Sequence, residues 1–381
     1  MTFAQNKSDN QQIYARQIAF IAAFLLPASK FLEVPSILAR FTAGDLLFPA
    51  LLHFLLQSLV LLALLDAASQ SEKTLGERLQ SSLGKWSILF YVLFALYFLY
   101  AAALPLLDME KYVYAAFFDT APTTFSFGAF FLISAYVCTK SIKAIGRSAD
   151  LCLFLFLLPF LALLVMSFTG ADFSNLLPFF GEDLRQTRIA FTYTAPHFSD
   201  AVLLLPLIFN LRYQKGDGKK IMAGYGVGAL FTLLFLAVFY AVFASLAPRE
   251  HYAFSKIAQY FPALKIVGRI DLIFIYLLSI VLILYTCLPL QYSTLLITET
   301  LHVRKKTIVS AILNVLLFLF ALFFNRRYNL FYHFISRETF LIFFLIADML
   351  PLFLLLLPKN NKKSTQNKRQ KKGAEQCIER T

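Results

Sequence analysis

Long apolar stretches recur along the whole 381-residue chain, with short polar segments between them. A stretch of about 20 apolar residues is long enough to cross the roughly 30 Å hydrocarbon core of a bilayer as a helix. Because lipid offers no hydrogen-bond partners, a backbone that crosses it must satisfy its polar groups internally, which a helix does within one segment. The sequence therefore predicts an all-α integral membrane protein.

The composition excludes an ordinary soluble domain. The chain is 59% hydrophobic and 15% charged, and it contains 43 Phe, whereas soluble domains carry about 25% charged residues. Its four Cys show no CxxC spacing and no grouping with His. We therefore expect no disulfide framework and no metal site.

Ten membrane spans are predicted, in two successive groups of five. The spans cover 18–40, 45–66, 86–107, 124–139, 151–169, 189–211, 221–247, 270–292, 307–324 and 338–357. The chain then consists of an N-terminal tail (1–17), a transmembrane domain (18–358) and a basic C-terminal tail (359–381). The first repeat is 18–169 and the second repeat is 189–358.

The distribution of Lys and Arg predicts that both termini are cytoplasmic. In that orientation the inner segments carry about twice as many Lys and Arg as the outer ones, as the positive-inside rule requires. In this orientation, the net charge of +13 arises mainly from the Lys and Arg of the inner segments and of the C-terminal tail. We expect that tail to lie along anionic lipid headgroups rather than to bind nucleic acid.

Prolines interrupt the first span of each group at a similar depth. Pro27 and Pro35 lie in the first span, and Pro196 and Pro206 lie in the sixth. A proline removes a backbone donor and clashes with the preceding turn, so helices one and six are predicted to be broken. Because five is odd, the second group enters the membrane from the opposite side. Such an inverted 5+5 repeat is typical of LeuT-like secondary transporters, whose binding site lies at the breaks.

Three short segments match the pattern of a known family. They are the stretch 27–45 (PASKFLEVPSILARFTAGD), the residues Gly146, Arg147 and Ala149 within 141–150, and the residues Asn175, Leu176 and Pro178 within 172–183. With the span order and loop sizes over about residues 14–358, they resemble the spore germination permease family. This is the GerAB-type B subunit of germinant receptors, in the amino acid–polyamine–organocation superfamily.

The resemblance implies a membrane subunit of a spore germinant receptor, located in the cytoplasmic (inner spore) membrane. Such a subunit binds a small nutrient, such as an amino acid, in a transporter-like midplane pocket and signals to A- and C-type partner subunits. No cofactor is implied. The alternative is a secondary transporter of amino acids or amines, either proton-coupled or ion-independent. A membrane enzyme is disfavoured because the sequence shows no cluster of acidic residues or His at an interface.

Lys30 is the most informative single residue, because a lysine in mid-span costs ~2.5–3.5 kcal/mol and is usually paired. Its ammonium could replace a coupling sodium ion of relatives, meet a ligand carboxylate or form a structural ion pair. Glu33, three residues on, lies on the same helix face, and Asp200 is the matching acid in the sixth span. Family members often have a Gly-x-Gly-like segment at this break, whereas this chain has Pro27-Ala28-Ser29-Lys30.

The other candidate ligand-binding residues flank the two breaks or lie in the third span. They are Ala28, Ser29, Tyr97, Tyr100, Thr194, His197, Ser199 and Asp200. Four of them have a structural alternative. The two tyrosines could be packing or interface anchors, the histidine a hydrogen-bonded core residue, and the aspartate a solvated acid. No catalytic residue is expected.

Overall fold

The fold is helical wherever the structure describes the chain. The computed structural model describes residues 13–70, 74–117, 128–178, 181, 183–260, 271–303, 305–325, 327, 330, 333 and 340–356. Its only β interaction in that part is an isolated bridge between Ile13 and Leu211. The predicted all-α class is thus confirmed. Most of the N-terminal tail and the whole C-terminal tail lie outside the described residues.

The α-helices follow the predicted order of spans. They are α1 (Ala15–Phe20), α2 (Val34–Thr42), α3 (Leu47–Ser69), α4 (Leu75–Leu83), α5 (Ser87–Phe117), α6 (Gly128–Val137), α7 (Ile142–Phe168), α8 (Leu184–Thr194), α9 (Asp200–Phe209), α10 (Asp217–Phe243), α11 (Ala253–Tyr260), α12 (Asp271–Thr300), α13 (Lys306–Asn325), α14 (Phe340–Phe344) and α15 (Leu350–Leu352).

Several of these helices can cross a membrane unaided. Within the described residues, five helical stretches are long and apolar enough to do so, and six if α6 and the start of α7 form one bent span. The predicted first, sixth and tenth spans are instead divided into shorter helices. The chain is therefore a multi-pass membrane protein, and the count of ten spans stays a prediction.

The breaks predicted in the first and sixth spans are both present. In the first span, α1 continues through a π turn (Ile21–Leu25) and a 3₁₀ segment (Leu26–Phe31), and helix resumes only at Val34. In the sixth span, a 3₁₀ turn (Ala195–Phe198) separates α8 from α9. Each 3₁₀ segment contains a proline near its start, which cannot donate a backbone hydrogen bond. The prediction that helices one and six are broken is confirmed.

Two glycines bring α10 against the first span. A Cβ atom added at Gly224 would overlap the carbonyl oxygen of Ala19, and one added at Gly228 would overlap that of Ala22. Without a driving force from water, membrane helices associate through such close backbone packing. The approach sets the position of Tyr225, which lies between these glycines and is buried.

The glycine contact predicts a stability difference between two neighbouring substitutions. Gly228→Ala forces a methyl group onto the Ala22 carbonyl, and overpacking of this kind costs about 1–3 kcal/mol. Gly226 is exposed, and a Cβ there meets nothing within 4 Å, so Gly226→Ala is the matched control. Thermal unfolding of the purified protein is to show a lower midpoint for Gly228→Ala only. Equal midpoints for the two variants would refute the close approach.

Candidate functional site

A buried ion pair joins the two broken helices. The ammonium of Lys30, in the first break, lies 2.7 Å from Oδ1 of Asp200, the first residue of α9. Both side chains are 1% exposed. Of the three partners considered for Lys30 from the sequence, the structure therefore shows Asp200. Removing both charges from water is costly, so the pair depends on further hydrogen bonds.

The break in the first span supplies one of those hydrogen bonds. The turn around Pro27 leaves the carbonyl of Leu26 to accept from Lys30 Nζ at 3.1 Å and from Ser29 Oγ at 3.2 Å. The ring of Phe198 also lies 5.3 Å from the ammonium, within the range of a cation–π contact. The Lys30 ammonium is thus held by a carboxylate, a main-chain carbonyl and an aromatic face.

The second oxygen of Asp200 meets α10. Tyr225 donates its hydroxyl to Asp200 Oδ2 at 3.3 Å. This tyrosine was not among the candidate residues predicted from the sequence. The ion pair therefore connects the first span, the sixth span and α10.

A histidine on α3 binds the C-terminal end of α8. His53 Nε2 lies 3.0 Å from the carbonyl oxygen of Phe191 and 3.1 Å from Thr194 Oγ1. Its ring is stacked between Phe191 and Phe198, with centroids 3.8 and 4.4 Å away. Thr194, one of the predicted site residues, thus helps to anchor α8 to α3.

The remaining predicted residues at the breaks are buried. Ala28 is 0% exposed. His197 lies in the 3₁₀ turn of the sixth span, and Ser199 follows that turn, donating to the Pro196 carbonyl at 3.4 Å. All of these lie in or beside the 3₁₀ segments that hold the ion pair.

The two predicted tyrosines of α5 both pack on Phe343 of the last span, and the centroids are 5.0 Å apart for Tyr97. Tyr97 is 4% exposed, and its hydroxyl has no hydrogen-bond partner within the described structure. Ser199 and Asp348 are among the polar groups that act on it. Tyr100 packs on Phe343, with centroids 4.7 Å apart. Both tyrosines therefore make an aromatic contact with the last span.

A second polar connection was missed from the sequence. Gln57 of α3 donates to Asp348 Oδ1 at 2.6 Å, and its own Oε1 accepts from the backbone N–H of Ala201 at 2.9 Å. Asp348 lies in a π turn (Leu345–Met349) of the last span and is 5% exposed. A lone acid inside an apolar span is a functional signal in its own right, and it could have identified Asp348.

Two cavities adjoin the sixth span. A small one, about 10 Å³, lies between α3, the break and the last span, where His53, Ser199 and Asp348 line it. That volume suits about one water molecule. A larger one, about 520 Å³, is lined by Pro206 of α9 together with residues of α4, α5 and α12. It lies toward the end of α9, so α9 connects the ion pair to this vestibule.

Comparison with known proteins decides the family. The family model described as "Spore germination protein" matches residues 13–329. The chain belongs to this spore germination permease family. A curated relative, spore germination protein KB of Bacillus subtilis (strain 168), is 27% identical over 227 residues, which are 58% of this chain and 60% of the relative. The match therefore spans less than two thirds of that relative's length.

Solved structures of transporters share the fold of this germination permease. A manganese transporter mutant from Eremococcus coleocola superposes with a TM-score of 0.57 at 11% identity, covering 92% of this chain and 80% of the other. The inward-facing conformation of Mhp1 gives a TM-score of 0.52 at 11% identity, covering 90% and 77%. The predicted LeuT-like class is confirmed, and the likeness concerns the fold alone.

By family and fold, the permease is a transporter-like membrane protein rather than an enzyme. Its family and its structural neighbours are germination proteins and transporters. In the described part of the chain, no three His, Cys, Asp or Glu residues are grouped so as to hold a metal ion. The contacts shown at the breaks are an ion pair and hydrogen bonds.

The buried pair predicts a large asymmetry between single and double substitution. Lys30→Met leaves Asp200 uncompensated, and breaking a buried pair in this way costs about 3–5 kcal/mol. Adding Asp200→Asn removes the stranded charge, so the double variant is to recover most of the lost stability in thermal unfolding.

Lys220→Met is the control. It breaks the contact of Lys220, 65% exposed, with Asp217, and pairs of this kind contribute about 0–1 kcal/mol. A double variant as unstable as Lys30→Met, or a control that matches it, would contradict the assignment.

Proposed function

We propose that this permease is the membrane subunit of a spore germinant receptor that binds a small nutrient, an amino acid, between the two breaks. Binding signals to A- and C-type partner subunits. The observation that supports this proposal is the Lys30–Asp200 pair, which lies at the transporter-type breaks of a germination-family chain. We place the protein in the cytoplasmic (inner spore) membrane with both termini cytoplasmic, as the positive-inside rule favours.

The charges of the pair suit a zwitterion. An amino acid carries a carboxylate for the Lys30 ammonium and an ammonium for the Asp200 carboxylate, so it can insert between them and exchange one ion pair for two. The backbone of Ala28 and Ser29, the ring of His197, and Thr194, Ser199, Tyr97 and Tyr100 surround the breaks as further ligand contacts.

Ligand insertion has to move the helices. The region between the breaks is closely filled, since Lys30 and Asp200 are 2.7 Å apart and the adjoining small cavity has about 10 Å³. A bound amino acid therefore favours a conformation in which α9 stands away from the first span. A ligand shifts the population between two conformations by its difference in affinity for them. That shift is the signal to the partner subunits.

The second candidate is a secondary transporter of amino acids or amines. The specific observation in its favour is the fold, which the manganese transporter and Mhp1 share over about nine tenths of this chain. In that case the Lys30 ammonium takes the place of a coupling cation, and the ligand crosses the membrane.

Ligand binding is tested by thermal shift with a panel of the common amino acids. A ligand at 100 times its dissociation constant stabilises the folded state by about 2.7 kcal/mol. Wild type and Lys220→Met are to shift with the same amino acid. Asp200→Asn, which keeps the lysine but removes the partner for the ligand ammonium, is to lose the shift. A shift that Asp200→Asn retains in full would remove the ion pair from the site.

Sensing and transport are separated by uptake of the same labelled amino acid. Vesicles that contain the purified protein are to show binding without concentrative uptake, under either a proton or a sodium gradient. Concentrative uptake would instead establish the transporter function.

A further inference from the structure

Asp348 is a buried acid of the last span whose surroundings differ from those of Asp200. Asp348 receives a hydrogen bond from the neutral amide of Gln57 at 2.6 Å. Within the described ranges, no Lys or Arg nitrogen lies within 4 Å of its carboxyl group, whereas Asp200 has the Lys30 ammonium at 2.7 Å. Asp200 and Asp348 thus have unlike partners: an ammonium for Asp200 and a neutral amide for Asp348.

The amide of Gln57 is committed at both ends. Its nitrogen donates to Asp348, and its oxygen accepts from the Ala201 N–H in the first turn of α9. Rotating the amide so that its oxygen faced Asp348 would leave that buried N–H without an acceptor, which is unfavourable. If Asp348 were ionised, the described structure would offer its carboxylate one hydrogen-bond donor, the neutral amide of Gln57, within an apolar span.

His53 of α3 lines the same cavity as Asp348, and Tyr97 of α5 and Tyr225 of α10 are close enough to interact with its charge. Lys30 of the first break and His197 and Asp200 of the sixth span lie at the adjoining breaks, and Tyr100 of α5 packs on Phe343 of the last span. Lys30 is bound to Asp200, and His53 to the end of α8. An isolated buried carboxylate is far more costly than its neutral form.

We propose that Asp348 is a proton-binding site of this protein, protonated in the conformation described and ionised when the sixth-span break opens. On release, the O–H bond of the carboxyl group breaks and the proton passes to water, leaving a carboxylate. The small cavity beside Asp348 suits about one water molecule. Because a carboxylate requires more hydration than that, proton release and opening of the break occur together.

The connection to the ion pair gives the proton a role at the pocket. Asp348, Gln57 and the Ala201 N–H form one hydrogen-bonded chain, and Ala201 directly follows Asp200. Opening around Asp348 therefore acts on the first turn of α9, where Asp200 holds Lys30. The site rests on these contacts and holds whether the permease senses its ligand or transports it.

Infrared spectroscopy tests the proton directly, without any ligand. A protonated carboxyl group has a carbonyl stretch separate from that of a carboxylate. The full chain in lipid vesicles is to lose such a band as the pH is raised from mildly acidic to mildly alkaline. Asp348→Asn, a neutral isostere, is to abolish the band. Asp217→Asn, which removes an acid at the start of α10 away from both breaks, is the matched control and is to retain it.

A wild-type spectrum without the band, or a band that persists in Asp348→Asn, would overturn the proposal. If Asp348→Asn does not fold, Asp348→Glu keeps an acid at the site and is to shift both the frequency and the midpoint of the band. An unshifted band would then assign the proton to another group. Because no amino acid is present, failure here is independent of the ligand-binding test.

Discussion

The structure depends on the ion pair between Lys30 and Asp200, because it is the direct charged link between the two interrupted spans. Neither residue could be buried in a membrane alone, since an isolated charge at this depth is strongly disfavoured. Each helix break puts its charged residue where the other can reach it, at 2.7 Å. Folding of the two halves around each other is thus linked to neutralising this pair.

The breaks create polar backbone groups, and the structure satisfies them from several directions. The carbonyl of Leu26 accepts from Ser29 and Lys30, and the carbonyl of Leu32 accepts from the N–H of Ala253 in α11 at 3.0 Å. The N–H of Ala201 is bound by Gln57. Irregular backbone is tolerated within a membrane only where protein or water supplies such hydrogen-bond partners. Each of these contacts therefore also holds a neighbouring helix against a break.

The sequence predicted the features that depend on local chemistry. Prolines at matching depth predicted both breaks, and the cost of a lysine in mid-span predicted that Lys30 would be paired. The pairing with Asp200 was one of three options, because Glu33 lies three residues away and a ligand carboxylate was equally suitable. Only the spatial arrangement of the two repeats selects the residue 170 positions away.

Features that depend on long-range packing were not accessible in this way. Gln57 and Asp348 are 291 residues apart, and nothing in either local stretch indicates the other. Tyr225 lies between Gly224 and Gly228, and the direction of its hydroxyl depends on how closely α10 approaches the first span. The span count depends on packing in the same way, because a span that is divided into short helices does not form one long apolar helix.

The Lys30–Asp200 pair keeps the region between the breaks closed to water. The most direct measurement of this closure is the rate at which a charged thiol reagent modifies a cysteine placed at Ser199, in a background without the native cysteines. We expect slow labelling with the pair intact and at least about tenfold faster labelling with Asp200→Asn, which corresponds to about 1.4 kcal/mol of opening free energy. A cysteine at the exposed loop residue Lys215 should react equally in both backgrounds. Equal rates at position 199 with and without the pair would show that the pair does not hold this region closed.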